Sequence, residues 1–126
     1  MQLPIDINTI KGFLDPQEGA ALHEHCLATA ALGPCLEVGS YCGKSTVYLG
    51  AAAKKTNSIV YAVDHHRGSE EHQLGEEYHD PDLYDSSAEL MDSFREFRKA
   101  MRAADLENHV VPIVASSTVA ARHWAT

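Results

Sequence analysis

The feature that most constrains this chain is the stretch from Pro34 to Thr46, PCLEVGSYCGKST, where a short apolar run meets a glycine loop that opens straight into a helical pattern. Leu36, Val38 and their neighbours read as a strand buried on both faces, as a parallel sheet flanked by helices requires. Gly39 ends that strand and Gly43 opens the helix. Without Cβ atoms both positions turn tightly and leave the backbone approachable, while the N–H groups of the first helical turn lack intrahelical partners. A polar ligand is expected at this loop.

Counting separates three loops of this kind. A Walker A loop needs four residues between its glycines before Lys-Ser/Thr, and only Ser40, Tyr41 and Cys42 precede Gly43-Lys44-Ser45. The dinucleotide fingerprint G-x-G-x-x-G fails as well, because Ser40 and Tyr41 stand where its second glycine must be. Glu37, Gly39 and Gly43 instead spell Glu-x-Gly-x-x-x-Gly. That spacing resembles motif I of the class I S-adenosyl-L-methionine (SAM) dependent methyltransferases, and EVGSYCGKS is similar to the loop of catechol-type O-methyltransferases.

The resemblance implies a zwitterionic ligand that carries a sulfonium rather than a polyphosphate. Glu37 would face its ammonium, directly or through water, and would repel a triphosphate. Ser45 and the helix N-terminus would hold its carboxylate. Gly39, Ser40, Tyr41 and Gly43 would line the loop, with Tyr41 along the methionine portion. The competing reading is that Glu37 caps a neighbouring helix and the glycines only make a tight turn.

With 126 residues, the chain is expected to be one α/β domain over 1–126, large enough for a hydrophobic core. A net charge of −8 and the lack of any basic run argue against a nucleic-acid partner. Cys26, Cys35 and Cys42 have no metal-like C-x-x-C spacing and read as free thiols in a reducing, cytoplasmic setting. The first residues have no signal-peptide pattern, and no run approaches 18 apolar residues, so no membrane partner is expected.

Along the chain, Ile5, Ile7, Ile10, Phe13 and Leu14 are expected to cover a core edge. Asp15-Pro16-Gln17-Glu18 starts a helix whose stripe is Leu22, Cys26, Leu27 and Ala30; it leaves His23 and His25 solvated and ends at Gly33-Pro34. A second helix spans about Lys44 to Lys55 and buries Val47, Tyr48, Ala51 and Ala52. The second strand runs from Ser58 to Asp64, again apolar enough to be buried on both faces. An acid at its tip is placed to accept hydrogen bonds from ribose hydroxyls, the motif II position of the family, whereas the plainer reading of Asp64 is a solvated strand-end aspartate or a local Asx turn.

Residues 65–85 show no period and form a long loop with four histidines and seven carboxylates. The histidines are His65, His66, His72 and His79; the acids are Glu70, Glu71, Glu76, Glu77, Asp80, Asp82 and Asp85. These imidazoles and carboxylates could build a divalent-metal site, but no spacing matches a known pattern, so no ligands are assignable. A lid with His65 or His66 beside the adenosine and Arg67 near it competes with a plain solvated acidic loop. Ser86 with Glu89 starts a third helix, whose apolar face is Leu90, Phe94, Phe97 and Met101, with Arg95, Arg98, Lys99 and Arg102 opposite. His109 to Ser116 reads as a third strand, and Pro112 marks it as an edge or a bulge. Ser116 or Ser117 would reach the adenine by the same resemblance, or would cap a helix through Val119, Ala120 and Trp124.

The alternation of strands and helices implies an α/β, Rossmann-like parallel sheet flanked by helices, and the resemblance implies that this is the N-terminal half of the seven-stranded methyltransferase fold. The expected activity is methyl transfer from SAM to a small-molecule acceptor at oxygen. Alternatives are a module that binds SAM or another adenosine ligand without turnover, and a P-loop phosphotransferase built on Lys44. With three strands, the first exposes an edge, so the chain is expected either to belong to a longer product or to pair with a second copy as a homo-oligomer.

Overall fold

Alternation along three short strands decides where the core lies and where the site sits. The computed structural model describes residues 1–68, 74–75, 79–87 and 90–124. In chain order the elements are α1 (Pro16–Thr29), β1 (Cys35–Val38), α2 (Lys44–Thr56), β2 (Val60–Val63), β3 (Tyr84–Asp85), β4 (Leu90–Met91), α3 (Phe94–Ala103), β5 (Val110–Ile113) and α4 (Ser117–Arg122). β1, β2 and β5 form one parallel sheet in the order β1-β2-β5. This is the expected α/β, Rossmann-like half-sheet, with helices in the crossovers. β5 is an edge, as Pro112 demands. The carbonyls of His109 and Ile113 accept from β2, so the alternate residue Pro112 turns its nitrogen away from the ladder.

Residues paired in a parallel register share a face. Val60 and Ala62 are fully buried against the cluster that holds Val47, Phe97 and Leu106, so α2 and α3 close that face. Glu37 is opposite Ala62 and lies on the same side. The other face carries Leu36, Tyr61 and Val111 in one row. There Leu36 is 54% exposed and Val38 60%. The expectation that β1 is buried on both faces is therefore corrected: among the described residues its outer face is open. Tyr61 gains an aromatic cover, with the Trp124 ring edge-on at 5.8 Å.

α1 begins as its capping residues dictate, with Asp15 accepting from the Gln17 N–H at 2.7 Å and Pro16 in the first turn. Its buried residues are Gly19, His23 and Cys26: of the expected stripe Cys26 is buried while Leu22, Leu27 and Ala30 are half-buried, and the expectation of a solvated His23 is corrected. The Tyr48 ring of α2 fits against Gly19, and on the same buried side His23 has its Nε2 3.2 Å from Lys55 Nζ. Burial lowers the His23 pKa, and Lys55 adds to that. His25 is exposed. The N-terminal segment covers the core edge in part: Ile10 is buried and Ile5 and Ile7, with Leu3, pack against the cluster, whereas Phe13, expected to join them, is 84% exposed.

The third helix starts later than the apolar period suggests. Tyr84 and Asp85 pair antiparallel with Met91 and Leu90, and helix α3 opens only at Phe94, where Asp92 accepts from the Phe94 N–H at 3.0 Å. Asp85 accepts from both the backbone N–H and the hydroxyl of Ser87, a local turn that bends the chain before a helix can nucleate. Leu90, placed on the helical stripe by its spacing, is instead exposed on β4. Glu89 lies outside the described residues.

Candidate cofactor-binding site

The glycine loop and the tips of β1 and β2 are joined by one carboxylate. Asp64 accepts from the Tyr41 N–H at 2.7 Å through one oxygen and from the His66 N–H at 2.9 Å through the other. The Gly39 N–H donates to the Val63 carbonyl at 2.8 Å, and that of Gly43 to Ser40 at 2.9 Å. Tyr41 takes a left-handed conformation, φ 50°, which the grip of Asp64 on its amide makes tolerable. Each Asp64 oxygen keeps a further lone pair for another donor. The Asx-turn reading of Asp64 holds, but the same side chain also reaches across to the loop.

Glu37 is held beneath this rim by two hydroxyls from the first turn of α2. Ser45 donates to it at 2.5 Å, and the fully buried Thr46 makes a second, very short bond. Burial raises the Glu37 pKa; the two hydroxyls oppose that shift, and the nearby Asp64 charge adds to it. The Ser45 hydroxyl, expected to donate to a ligand carboxylate, is engaged with Glu37 in this structure.

The two glycines prove to differ. Gly39 has φ 89° and a side chain there would meet nothing within 4 Å, so the loop is open at this point. Gly43 has φ 94°, and a Cβ would lie 2.9 Å from Met101 Cε and 3.2 Å from Phe97. Only Gly39 faces open space; Gly43 serves the packing of α3. The Ser40 hydroxyl is buried with no hydrogen-bond partner among the described residues. An unmet buried hydroxyl costs about 1–3 kcal/mol, which a ligand group would offset.

At the end of β5, the Ala115 N–H donates to the Asp64 carbonyl at 3.2 Å, bringing this segment to the same rim. Ser116 caps α4 by accepting from the Val119 N–H, and Ser117 is exposed in the first turn. His65 is exposed and accepts from the Arg67 N–H in a local turn at 2.9 Å. Its neighbour His66 is the buried one, with Nδ1 2.8 Å from Ser93 Oγ and its ring against Phe94 and Phe97. Burial lowers the His66 pKa, against the pull of Asp64 and Asp92.

Thr46 and Ser93 escaped the sequence reading. The Ser45-Thr46 pair directly after Gly43-Lys44 is the available signal for the first; for Ser93 there is none. The acidic loop is tied back to the N-terminus, where Lys11 binds Asp80 at 2.6 Å and Asp82 at 3.2 Å, raising the Lys11 pKa and lowering that of Asp80. Among the described residues no three His, Cys, Asp or Glu gather as metal ligands. His72, Glu70, Glu71, Glu76 and Glu77 lie outside those residues. Lys44 donates to the Gly12 carbonyl at 3.4 Å, toward the N-terminal segment, whereas a P-loop lysine cradles phosphates.

The parallel sheet and its flanking helices have the architecture of the N-terminal half of a Rossmann-like methyltransferase fold. The family described as a methyltransferase domain matches residues 36–126, so the chain belongs to the SAM-dependent methyltransferase family. In fold it is similar to a protein whose crystal structure is described as cofactor-bound Rv0187 from MTB, with a TM-score of 0.57 and 18% sequence identity. That match covers 91% of this chain and 41% of the other, so the chain spans about two fifths of that protein's length.

Proposed function

We propose that this chain binds SAM and serves methyl transfer to a small-molecule acceptor at oxygen. The observation that carries the reading is the pair of carboxylates, Glu37 and Asp64, at the carboxyl ends of adjacent strands beside the open Gly39. In open parallel sheets ligands lie across that end. Asp64 keeps acceptor capacity for the ribose hydroxyls, and Glu37 offers negative charge to the ammonium. The loop residues Gly39, Ser40 and Tyr41 border the methionine portion, and Ser116, Ser117 and His65 flank the adenosine side. Bound SAM supplies an electrophilic methyl on a sulfonium. The protein's part is to orient the reactants and exclude water.

Titration calorimetry with SAM, S-adenosylhomocysteine and ATP tests this reading. Binding of the first two and not of ATP is expected; ATP seated at the Lys44 turn would overturn it. A second reading, binding without turnover, is favoured by the edge position of β1 among the described strands. Incubation with a labelled methyl donor and phenolic acceptors distinguishes the two.

The same open edge supports association of the chain with a second copy, and light scattering on the purified chain should report a species larger than 13.8 kDa. No described helix is long and apolar enough to cross a membrane. A cytoplasmic site of action, where SAM chemistry meets small acceptors, completes the proposal, and fractionation of cells expressing the tagged chain checks it.

A further inference from the structure

We propose that Cys26 and Cys35 form a modification site, a dithiol that closes into an intramolecular disulfide on reaction with a low-molecular-weight disulfide. No sequence spacing pairs these residues. Packing does, because the last turns of α1 run beside the first residue of β1 and bring the two Sγ atoms to 2.9 Å. A disulfide needs about 2.05 Å, so the sulfurs have under about 1 Å left to travel. Both thiols are free in this structure.

The two sulfurs differ in access. Cys26 is buried, whereas Cys35 is half-buried, and both border an open groove of about 400 Å³ between α1 and the β1 edge. Burial pushes the Cys26 thiol up to about 12, with Cys35 adding to the rise, so Cys26 is not the first nucleophile. Cys42 is buried elsewhere in the core.

In the first step the Cys35 thiolate attacks one sulfur of the small disulfide, whose S–S bond breaks and whose other half leaves as a thiolate. Cys26 then gives up its proton and attacks the Cys35 sulfur, expelling the second small thiol. Two protein thiols are oxidised to one disulfide and the small disulfide is reduced to two thiols. The bond would tie the end of α1 to β1 two residues before Glu37. In a reducing compartment such a pair is transient and responds to redox change.

The test uses the whole chain, equilibrated either with glutathione disulfide or with excess dithiothreitol, then unfolded, alkylated with iodoacetamide and cut after glutamate. Cleavage after Glu24 and Glu37 leaves Cys26 and Cys35 on one peptide and Cys42 on another. After glutathione disulfide, the first peptide should be unalkylated and lighter than its dithiol form by two hydrogens. Dithiothreitol should restore two alkylations on it. In Cys26→Ser, Cys35 should keep a stable glutathione adduct, because no second thiol resolves it. Two alkylated thiols after oxidation of the native chain, or glutathione retained on Cys35 in it, would overturn the proposal without recourse to any variant.

Discussion

The two faces of the same three strands differ sharply. On the face under α2 and α3, Val60, Ala62 and Phe97 are at or near zero exposure, and Glu37 lies beside them with both oxygens bonded. On the other, Leu36, Val38 and Val111 stand in the open. Adjacent residues of one strand thus meet a dry, charge-bearing interior and bare solvent. The proposed ligand chemistry draws on the first face, where low dielectric gives a single carboxylate leverage. The second face holds apolar area without chemistry.

That contrast yields a graded set of tests. Phe97→Ala should have the largest effect, destabilising the chain by about 3–5 kcal/mol in urea denaturation, since it empties a fully packed position. Asp64→Ala should weaken SAM binding by roughly 1.5–3 kcal/mol in calorimetry, the value of hydrogen bonds involving a charged group. An unchanged affinity would remove Asp64 from the site.

The pH dependence probes the buried carboxylate more finely. Because the Glu37 pKa is raised on folding, its contribution is fully present below its ordinary value of 4.5 and is lost as pH rises through the raised value. Stability measured against Glu37→Gln should decline over that window, while SAM affinity should climb over it as the ionised group meets the ammonium. His66 acts in the opposite direction. Its lowered pKa means stability is retained above its ordinary 6.5 and lost as pH falls through the depressed value, and His66→Gln should flatten that limb of a thermal melt. Leu36→Thr should change the stability of the isolated chain least, within about 0.5 kcal/mol. A large loss there would mean that the open face is covered in solution, and would dissolve the contrast.

Much of the fold was legible because it rests on local signals. Asp15-Pro16 announced α1, the Glu37-Gly39-Gly43 spacing announced the strand-loop-helix unit, and Pro112 announced an edge. Less of the site was readable. His65 and His66 are indistinguishable by composition, yet one is solvated and the other is packed between phenylalanines. Ser45 sits where a ligand-binding hydroxyl belongs, and it turns to Glu37 because a buried carboxylate needs donors of its own. The helix expected from Ser86 lost to a turn at Asp85 and to pairing of β3 with β4, contacts that helical periodicity cannot register.

Residue order alone determined the βα unit, its glycine bend and the acid at each strand tip, since caps, turns and apolar runs act over a few neighbours. Only the tertiary structure decided which glycine is open, which histidine is buried, which face of β1 is bare, and that Cys26 meets Cys35. Those outcomes depend on how α1 and α3 settle on the sheet, and packing between distant segments leaves no periodic trace in the chain.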